Sequence, residues 1–124
     1  MKAVLDGGVL TAVDRQDRSI AARLRVLQRQ RTPLRASAAV VAQAWRSSRQ
    51  VNLARVLTGV GVVSLSAGDS RRIGELLAAA RTTDVVDGHV ALLADPGDII
   101  LTSDPGDISA LIDARGVAVS VLAV

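Results

Sequence analysis

The segment DIILTSDPGDI, residues 98–108, contains the junction on which the fold prediction depends. Its first four residues, 98–101, form a short apolar run that predicts a β-strand, and Pro105 is typical of the first turn of a helix. Asp104 therefore stands between the end of a strand and the start of a helix. The beginning of the chain has the same form, since 2–5 predicts a strand and Asp6 is followed by two glycines that indicate a turn into a helix.

Between and after these junctions, strand-like and helix-like segments alternate. We predict further strands over 34–36, 60–65 and 117–122, and helices over 17–30 (capped by Asp17 or Ser19), 37–48, 51–57, 67–81, 84–94 (capped by Thr82 or Thr83) and 105–115. Such alternation is typical of a mainly parallel central sheet with helices on both faces. The expected fold class is α/β, with three layers and one domain spanning residues 1–124.

The composition restricts the chemistry. Of the 124 residues 49% are hydrophobic, but there is no Phe or Tyr, and the one aromatic residue, Trp45, has the helical spacing of a core residue. This disfavours modules that stack nucleic-acid bases on aromatic side chains. With no cysteine and only His89, any metal must be held by oxygen ligands. His89 itself is expected to be hydrogen-bonded or at the surface. No apolar run reaches membrane-spanning length, so we expect a cytoplasmic protein with no membrane association.

Charge is divided unevenly along the chain. Residues 1–60 contain eleven basic and three acidic residues, whereas 61–124 contain four basic and nine acidic residues. Basic residues attract phosphate backbones and clustered acids attract cations, which suits a metal-dependent enzyme acting on nucleic acid. Solvated helix faces on an arginine-rich protein explain the same asymmetry equally simply.

Four aspartates are candidates for a metal site. Open α/β sheets bind ligands beyond the C-terminal ends of their strands, where Asp6 and Asp104 are both expected. Asp84 and Asp87 are three residues apart and share one helix face, although acids near a helix N-terminus are also favoured for purely structural reasons. Carboxylates brought together in this way prefer Mg²⁺ or Mn²⁺ and suit phosphodiester hydrolysis. Asp107 is typical of the first turn of its own helix, and five other aspartates are predicted to be surface or turn residues: Asp14, Asp69, Asp95, Asp98 and Asp113.

Four motifs in order resemble the PIN-domain ribonucleases, especially the VapC-like toxins of type II toxin–antitoxin systems. They are VLD at 4–6, SAAVVAQAWR at 37–46, DVVDGHVALLA at 84–94 and LTSDPGDI at 101–108. The resemblance implies a PIN-like fold in which Asp6, Asp87 and Asp104 are catalytic and hold Mg²⁺ or Mn²⁺. Asp84 and Asp107 are further candidate ligands.

The resemblance also identifies two departures from the family pattern. Gln43 stands where the family usually has a glutamate, and Gly8 stands where a small hydroxyl residue is common. Both changes put metal affinity in question, and Gln43 is retained as a supporting polar position. Arg46 and Arg18 are weaker candidates for contact with RNA or a partner protein.

The leading hypothesis is therefore a metal-dependent endoribonuclease, the toxin of a type II pair. The resemblance further implies a homodimer and a small antitoxin whose tail enters the acidic groove. The alternative is a catalytically weakened PIN-like module that binds RNA or protein, and a third is a nuclease directed at DNA. Dinucleotide-binding and P-loop folds are disfavoured because the glycine spacing after the first strand is wrong and Lys2 is the only lysine.

Overall fold

A computed structural model describes all residues from Met1 to Val124 and contains five strands and seven helices. The strands are β1 (Ala3–Leu5), β2 (Leu34–Ser37), β3 (Val60–Val63), β4 (Ile99–Thr102) and β5 (Ser120–Ala123). The helices are α1 (Gly7–Asp14), α2 (Arg18–Arg29), α3 (Ala38–Ala44), α4 (Val51–Leu57), α5 (Ala67–Ala80), α6 (Val85–Leu93) and α7 (Pro105–Arg115). The expected alternation of strands and helices is confirmed.

All strands belong to one sheet in the order β3-β2-β1-β4-β5, and every neighbouring pair is parallel. The chain runs outward from β1 to β3 and then returns to add β4 on the other side of β1. Helices α2, α3 and α4 each contact α1 in one layer, and α5, α6 and α7 contact one another in a second layer. Because strand order reverses beside β1, a crevice opens at the C-terminal ends of β1 and β4.

The core is packed from aliphatic side chains, as the composition predicts. All three residues of β1 are fully buried, and they belong to a continuous cluster of 25 buried apolar residues. Trp45 is partly buried and packs against this cluster. With β1 central and inaccessible, the position of Asp6 at its end is fixed by the best-packed part of the molecule.

Some element boundaries differ from those predicted. The helix expected over 37–48 ends at Ala44, and Trp45 is already extended. The cause is the Gln50 side chain, which accepts hydrogen bonds from the backbone N–H groups of Arg46 and Ser47 and so stabilises a loop there. The third strand ends at Val63 rather than residue 65, and the last covers 120–123 rather than 117–122.

Asp98 was predicted to be a surface or turn residue; it ends the turn over 95–98, where its backbone N–H donates to Asp95 O at 3.0 Å, but it is buried and not at the surface. Only 4% of Asp98 is exposed, and its carboxylate accepts from the Lys2 ammonium at 2.5 Å and the Lys2 backbone N–H at 2.8 Å. It also accepts from the backbone N–H of Asp95 at 2.7 Å. Three donors from two segments thus compensate the burial of one carboxylate. They join the beginning of the chain to the turn before β4, at the end of the sheet opposite the crevice.

None of the seven helices has both the length and the apolar character of a membrane span.

Candidate functional site

The crevice beside β1 brings together carboxylates from three parts of the chain. Asp6 directly follows β1, and its backbone N–H extends the sheet by donating to Leu101 O at 3.0 Å. Asp104 lies between β4 and α7, and Asp107 is in the first turn of α7. Asp87 comes from the first turn of α6. The predicted strand-end aspartates are therefore at the same edge of the sheet because β1 and β4 are neighbours.

Asp6 is held in a fixed position by hydrogen bonds to both carboxylate oxygens. Only 7% of the residue is exposed. Its Oδ1 accepts from the backbone N–H of Gly7 at 2.7 Å, which caps α1, and its Oδ2 accepts from the hydroxyl of Thr102 at 2.7 Å. A carboxylate has about four acceptor positions, so two remain for a ligand.

The side chains of Asp87, Asp104 and Asp107 form the tightest acidic cluster. One carboxylate oxygen from each lies within 4.8 Å of the others. Asp6 and Asp84 are not members of this group, but their negative charges act on Asp87. The set is made only of hard oxygen donors, which fits a divalent cation such as Mg²⁺ or Mn²⁺.

The carboxylates of this cluster repel one another, and this repulsion contributes to the raised pKa values of Asp87 and Asp107. Burial, together with the negative charges of Asp84, Asp6, Asp104 and Asp107, raises the pKa of Asp87 to about 6. A hydrogen bond with Asp104, which needs a proton on one of the two carboxylates, raises the pKa of Asp107. No lysine or arginine forms an ion pair with any of these groups. A cation would relieve the repulsion, so the residues fit a metal site.

Asp84 has a structural role at the start of α6. Its Oδ1 accepts from the backbone N–H of Asp87 at 3.0 Å, so Asp84 is the N-cap of this helix. The prediction that Thr82 or Thr83 caps α6 is wrong, because the helix begins one residue later than expected. The purely structural interpretation therefore accounts for the position of Asp84, although its charge still raises the pKa of Asp87.

The two departures from the family pattern both lie beside the first turn of α1. Gln43 is exposed, and its Oε1 lies 3.3 Å from the place that a Cβ at residue 7 would take. A Cβ at residue 8 would lie 2.0 Å from Ser103 Oγ and 2.7 Å from Ser103 Cβ. The side chain of Ser103 thus fills the space over Gly8, so a hydroxyl is present at this place but comes from the end of β4.

The arginines proposed for contacts lie elsewhere. Arg46 donates to Ala42 O at 3.2 Å and Trp45 O at 3.0 Å, at the end of α3. Arg18 lines a cleft of about 480 Å³ between α2 and α4, together with Arg25 and Arg55. None of these three guanidinium groups forms an ion pair, and none of the clustered carboxylates lines the cleft.

His89 is completely buried two residues after Asp87. Its Nδ1 lies 2.6 Å from the hydroxyl of Ser37, and its Nε2 has no hydrogen-bond partner. The prediction of a hydrogen-bonded histidine is confirmed. Burial lowers the pKa of His89, and the more distant charge of Asp69 opposes that effect only in part. The bond connects α6 to the C-terminal end of β2 and holds the helix that carries Asp87.

Sequence reasoning missed two residues next to the acids, Thr102 and Ser103. Both belong to the LTSD run before Asp104, and a hydroxyl side chain at a buried strand end is a recognisable signal. Thr102 is the last residue of β4 and contacts Asp6, whereas Ser103 lies just beyond the strand and covers Gly8.

A scan with protein-family models gives no match, and a search of curated proteins gives none either. Among solved structures, the chain is similar to the crystal structure of VapBC2 from Rickettsia felis bound to a DNA fragment from their promoter. The TM-score is 0.68 at 13% sequence identity, and the match covers 98% of this chain and 99% of that chain. At this identity the likeness concerns the fold. The expected PIN-like three-layer α/β/α fold, with an all-parallel five-stranded sheet, is confirmed.

Proposed function

We propose that this protein is a metal-dependent endoribonuclease and the toxin component of a type II toxin–antitoxin pair. The observation that carries the proposal is the convergence of Asp6, Asp87 and Asp104 at the crevice of a PIN-like fold. Asp87 is the most informative member, because burial and the charges of the neighbouring carboxylates together raise its pKa to about 6. A cluster in which one acid is this strongly perturbed is a candidate for function.

Each acid has a distinct part in the proposed reaction. Asp6, Asp87 and Asp104 would hold Mg²⁺ or Mn²⁺, with Asp107 adjacent and Asp84 acting mainly through its charge. The bound cation would neutralise charge on the reacting phosphate and favour ionisation of the attacking water. Asp6 cannot turn freely, because Gly7 and Thr102 hold both of its oxygens. Asp107 is exposed and, with its raised pKa, is suited to exchange protons with the solvent.

RNA is the proposed substrate class. Support comes from the resemblance of the four sequence motifs to PIN-domain ribonucleases and from the excess of arginine in residues 1–60. The negatively charged phosphate backbone of RNA is attracted to those arginines. The RNA backbone can approach the acidic cluster only when a bound cation neutralises the carboxylates. DNA as the substrate is the competing possibility, and direct comparison of both nucleic acids separates them.

We propose that the protein partner is a small antitoxin. We also propose that the protein itself is a single-domain homodimer in the cytoplasm. One solved structure with a similar fold is that of VapBC2. The cleft between α2 and α4 suits an acidic amphipathic segment, because Leu24 and Val56 line it alongside the unpaired Arg18, Arg25 and Arg55. Apolar lining with cationic groups and no aromatic side chain favours a peptide over stacked bases.

The second candidate function is a PIN-like module that binds RNA or protein without cleaving it. Gln43 is the specific observation in its favour, since a neutral amide lies beside the turn that follows Asp6. An amide is a weaker ligand for a hard cation than a carboxylate.

The decisive experiment offers labelled single-stranded RNA and DNA of the same sequence to the purified protein with Mn²⁺, with Mg²⁺ and with EDTA. We expect cleavage of RNA that requires the cation and is lost in the Asp6→Asn/Asp87→Asn double variant. Asp113→Asn, at an exposed position of α7, is the matched control and is expected to retain activity. Binding of RNA without cleavage in either cation would contradict the nuclease proposal and support the binding module.

A further inference from the structure

We infer that Thr102 is a positioning residue, whose hydroxyl holds the carboxylate of Asp6 and the backbone of Asp104 in the arrangement that binds a divalent cation. The inference rests on the proposed function, and it adds an uncharged hydroxyl residue to the acidic groups already described. Thr102 would not contact the cation or the substrate; it acts through the two aspartates.

The direction of each hydrogen bond follows from the groups involved. Thr102 is the last residue of β4 and is fully buried. Its hydroxyl lies 2.7 Å from Asp6 Oδ2 and 2.9 Å from the backbone nitrogen of Asp104. The amide of Asp104 can only donate, and an ionised carboxylate can only accept. The single hydroxyl proton therefore points to Asp6, while the hydroxyl oxygen accepts from Asp104.

This arrangement also determines what the side chain of Asp104 can do. Asp104 is the N-cap residue of α7, a position where aspartate usually accepts from its own helix, but here its side chain makes no capping bond. Its backbone N–H is held by Thr102 instead. The carboxylate is thereby left for the cluster with Asp87 and Asp107, in which the three lie within 4.8 Å.

Removing the hydroxyl would leave two buried or half-buried polar groups without their partners. Oδ2 of Asp6 would lose its only protein donor, while Oδ1 would still be held by Gly7 at 2.7 Å. The carboxylate could then rotate about the remaining bond. Residues that orient metal ligands in this way typically change metal affinity by about 10- to 100-fold when they are replaced.

The test uses the full chain and Mn²⁺ as the probe, measured by isothermal titration calorimetry. Thr102→Val keeps the shape of the side chain but removes the hydroxyl, and we expect Mn²⁺ affinity to fall about 10- to 100-fold. Thr102→Ser keeps the hydroxyl, and we expect it to restore affinity close to that of the unchanged protein. Thr32→Val is the matched control, because Thr32 is also buried but its side chain forms no hydrogen bond, so its affinity should not change.

Thermal unfolding of every variant separates positioning from folding. If Thr102→Val fails to fold, Thr102→Ala takes its place at a temperature where circular dichroism shows a folded chain. A folded variant without the hydroxyl that binds Mn²⁺ as tightly as the unchanged protein would overturn the inference, as would failure of Thr102→Ser to restore binding. Absence of Mn²⁺ binding to the unchanged protein would also overturn it.

Failure of the proposed nuclease function would give a different experimental result from failure of the Thr102 inference. If the unchanged protein binds Mn²⁺ but cleaves no RNA, the nuclease proposal fails while the affinity series still decides the role of Thr102. If it binds and cleaves, and only Thr102→Val is without effect, the positioning inference fails alone.

Discussion

The imidazole of His89 and the hydroxyl of Ser37, 52 positions apart in sequence, lie 2.6 Å from each other in the interior. Ser37 ends β2 and its hydroxyl also accepts from the backbone N–H of Ala39, which caps α3. The direction of the bond depends on the tautomer of the histidine: the Ser37 hydroxyl donates to an unprotonated Nδ1, and a protonated Nδ1 donates to the second lone pair of the hydroxyl oxygen. One hydroxyl thus joins the helix that carries Asp87 to the strand and helix that precede Gln43.

The first prediction concerns the pH dependence of stability through His89. Burial lowers the pKa of His89 from its ordinary value of 6.5, so the unfolded chain takes up the proton first as pH falls. Stability is complete above about pH 6.5 and declines as pH falls from there toward the lowered pKa of the folded state. Asp87, with a pKa raised to about 6, acts in the opposite direction over the same range, so the His89 component is measured by urea unfolding between pH 7.5 and 5 as the difference between the unchanged protein and His89→Gln. His89→Gln, which does not titrate, should lose this component; an equal decline in that variant would contradict the assignment.

Replacement of Ser37 by alanine should destabilise the fold. The change removes a helix cap and leaves the buried Nδ1 of His89 without a partner, for an expected loss of about 1–3 kcal/mol in the free energy of unfolding. Urea unfolding at pH 7.5 measures it. Ser66→Ala is a useful control, because Ser66 caps α5 but contacts no buried histidine. Equal losses in the two variants would argue against a contribution from the histidine bond.

Asp87 predicts how metal affinity depends on pH. Because its pKa is raised to about 6, a proton competes with the cation below that pH. We expect Mn²⁺ affinity to decline as pH falls through about 6 and to be nearly constant above about pH 7. In Asp84→Asn the decline should begin at lower pH, because the charge of Asp84 contributes to the raised pKa. An unchanged midpoint in that variant would show that Asp84 has little influence on Asp87.

The packing of Ser103 over Gly8 predicts a pair of mutually compensating substitutions. Gly8→Ser places a Cβ 2.7 Å from the Cβ of Ser103, which a side-chain rotation cannot avoid, and should lower stability by about 1–3 kcal/mol. In combination with Ser103→Gly the space is free, so the double variant should recover most of the loss. Thermal unfolding of the single and double variants completes the cycle. Additive losses would refute direct contact.

The buried carboxylate of Asp98 and the exposed carboxylate of Asp95 both contact Lys2, and we expect them to contribute differently to stability. Burial alone would raise the pKa of Asp98, but hydrogen bonds and charge from Lys2, with the Asp95 N–H, lower it below its ordinary value of 3.8. Its contribution to stability is therefore complete above about pH 4 and is lost as pH falls below that value. Asp98→Asn should cost about 3 kcal/mol at pH 7, since it leaves Lys2 partly buried without its main partner.

Asp95→Asn is the matched control for Asp98→Asn. The side chain of Asp95 is 73% exposed and also contacts Lys2, at 2.6 Å. Exposed ion pairs contribute about 0–1 kcal/mol, so this variant should unfold almost as the unchanged protein does. Similar losses in both variants would show that burial of Asp98 is not what gives the contact its strength.

The sequence predicts those features that depend on local pattern. The spacing of hydrophobic residues and the positions of turn residues predict the alternation of strands and helices. The positions of Asp6 and Asp104 at strand ends follow directly from that alternation. That these two strands are neighbours does not follow, because adjacency depends on the return of the chain across β1. The same limit applies to the His89–Ser37 bond and the burial of Asp98, since each partner is distant in sequence.

The predicted end of α3 is wrong because a side chain, and not a helix carbonyl, accepts the backbone hydrogen bonds there. Gln50 ends α3 early by accepting from two N–H groups, and an amide six residues after Ala44 gives no local signal of that role. The role of Thr102 was also not predicted, because it too depends on a side-chain hydrogen bond. Its importance depends on which oxygen of Asp6 it reaches, and this is a property of the folded chain.

The aliphatic core has a practical consequence for following the molecule in solution. With no tyrosine or phenylalanine, Trp45 is the sole source of aromatic emission, and it lies half-buried where α3 gives way to the loop. Two positions earlier is Gln43, whose amide lies beside the turn after Asp6. Fluorescence from a single indole thus reports on the neighbourhood of the crevice without a label. Titrations with a cation, an oligonucleotide or a peptide can each be observed through one native probe.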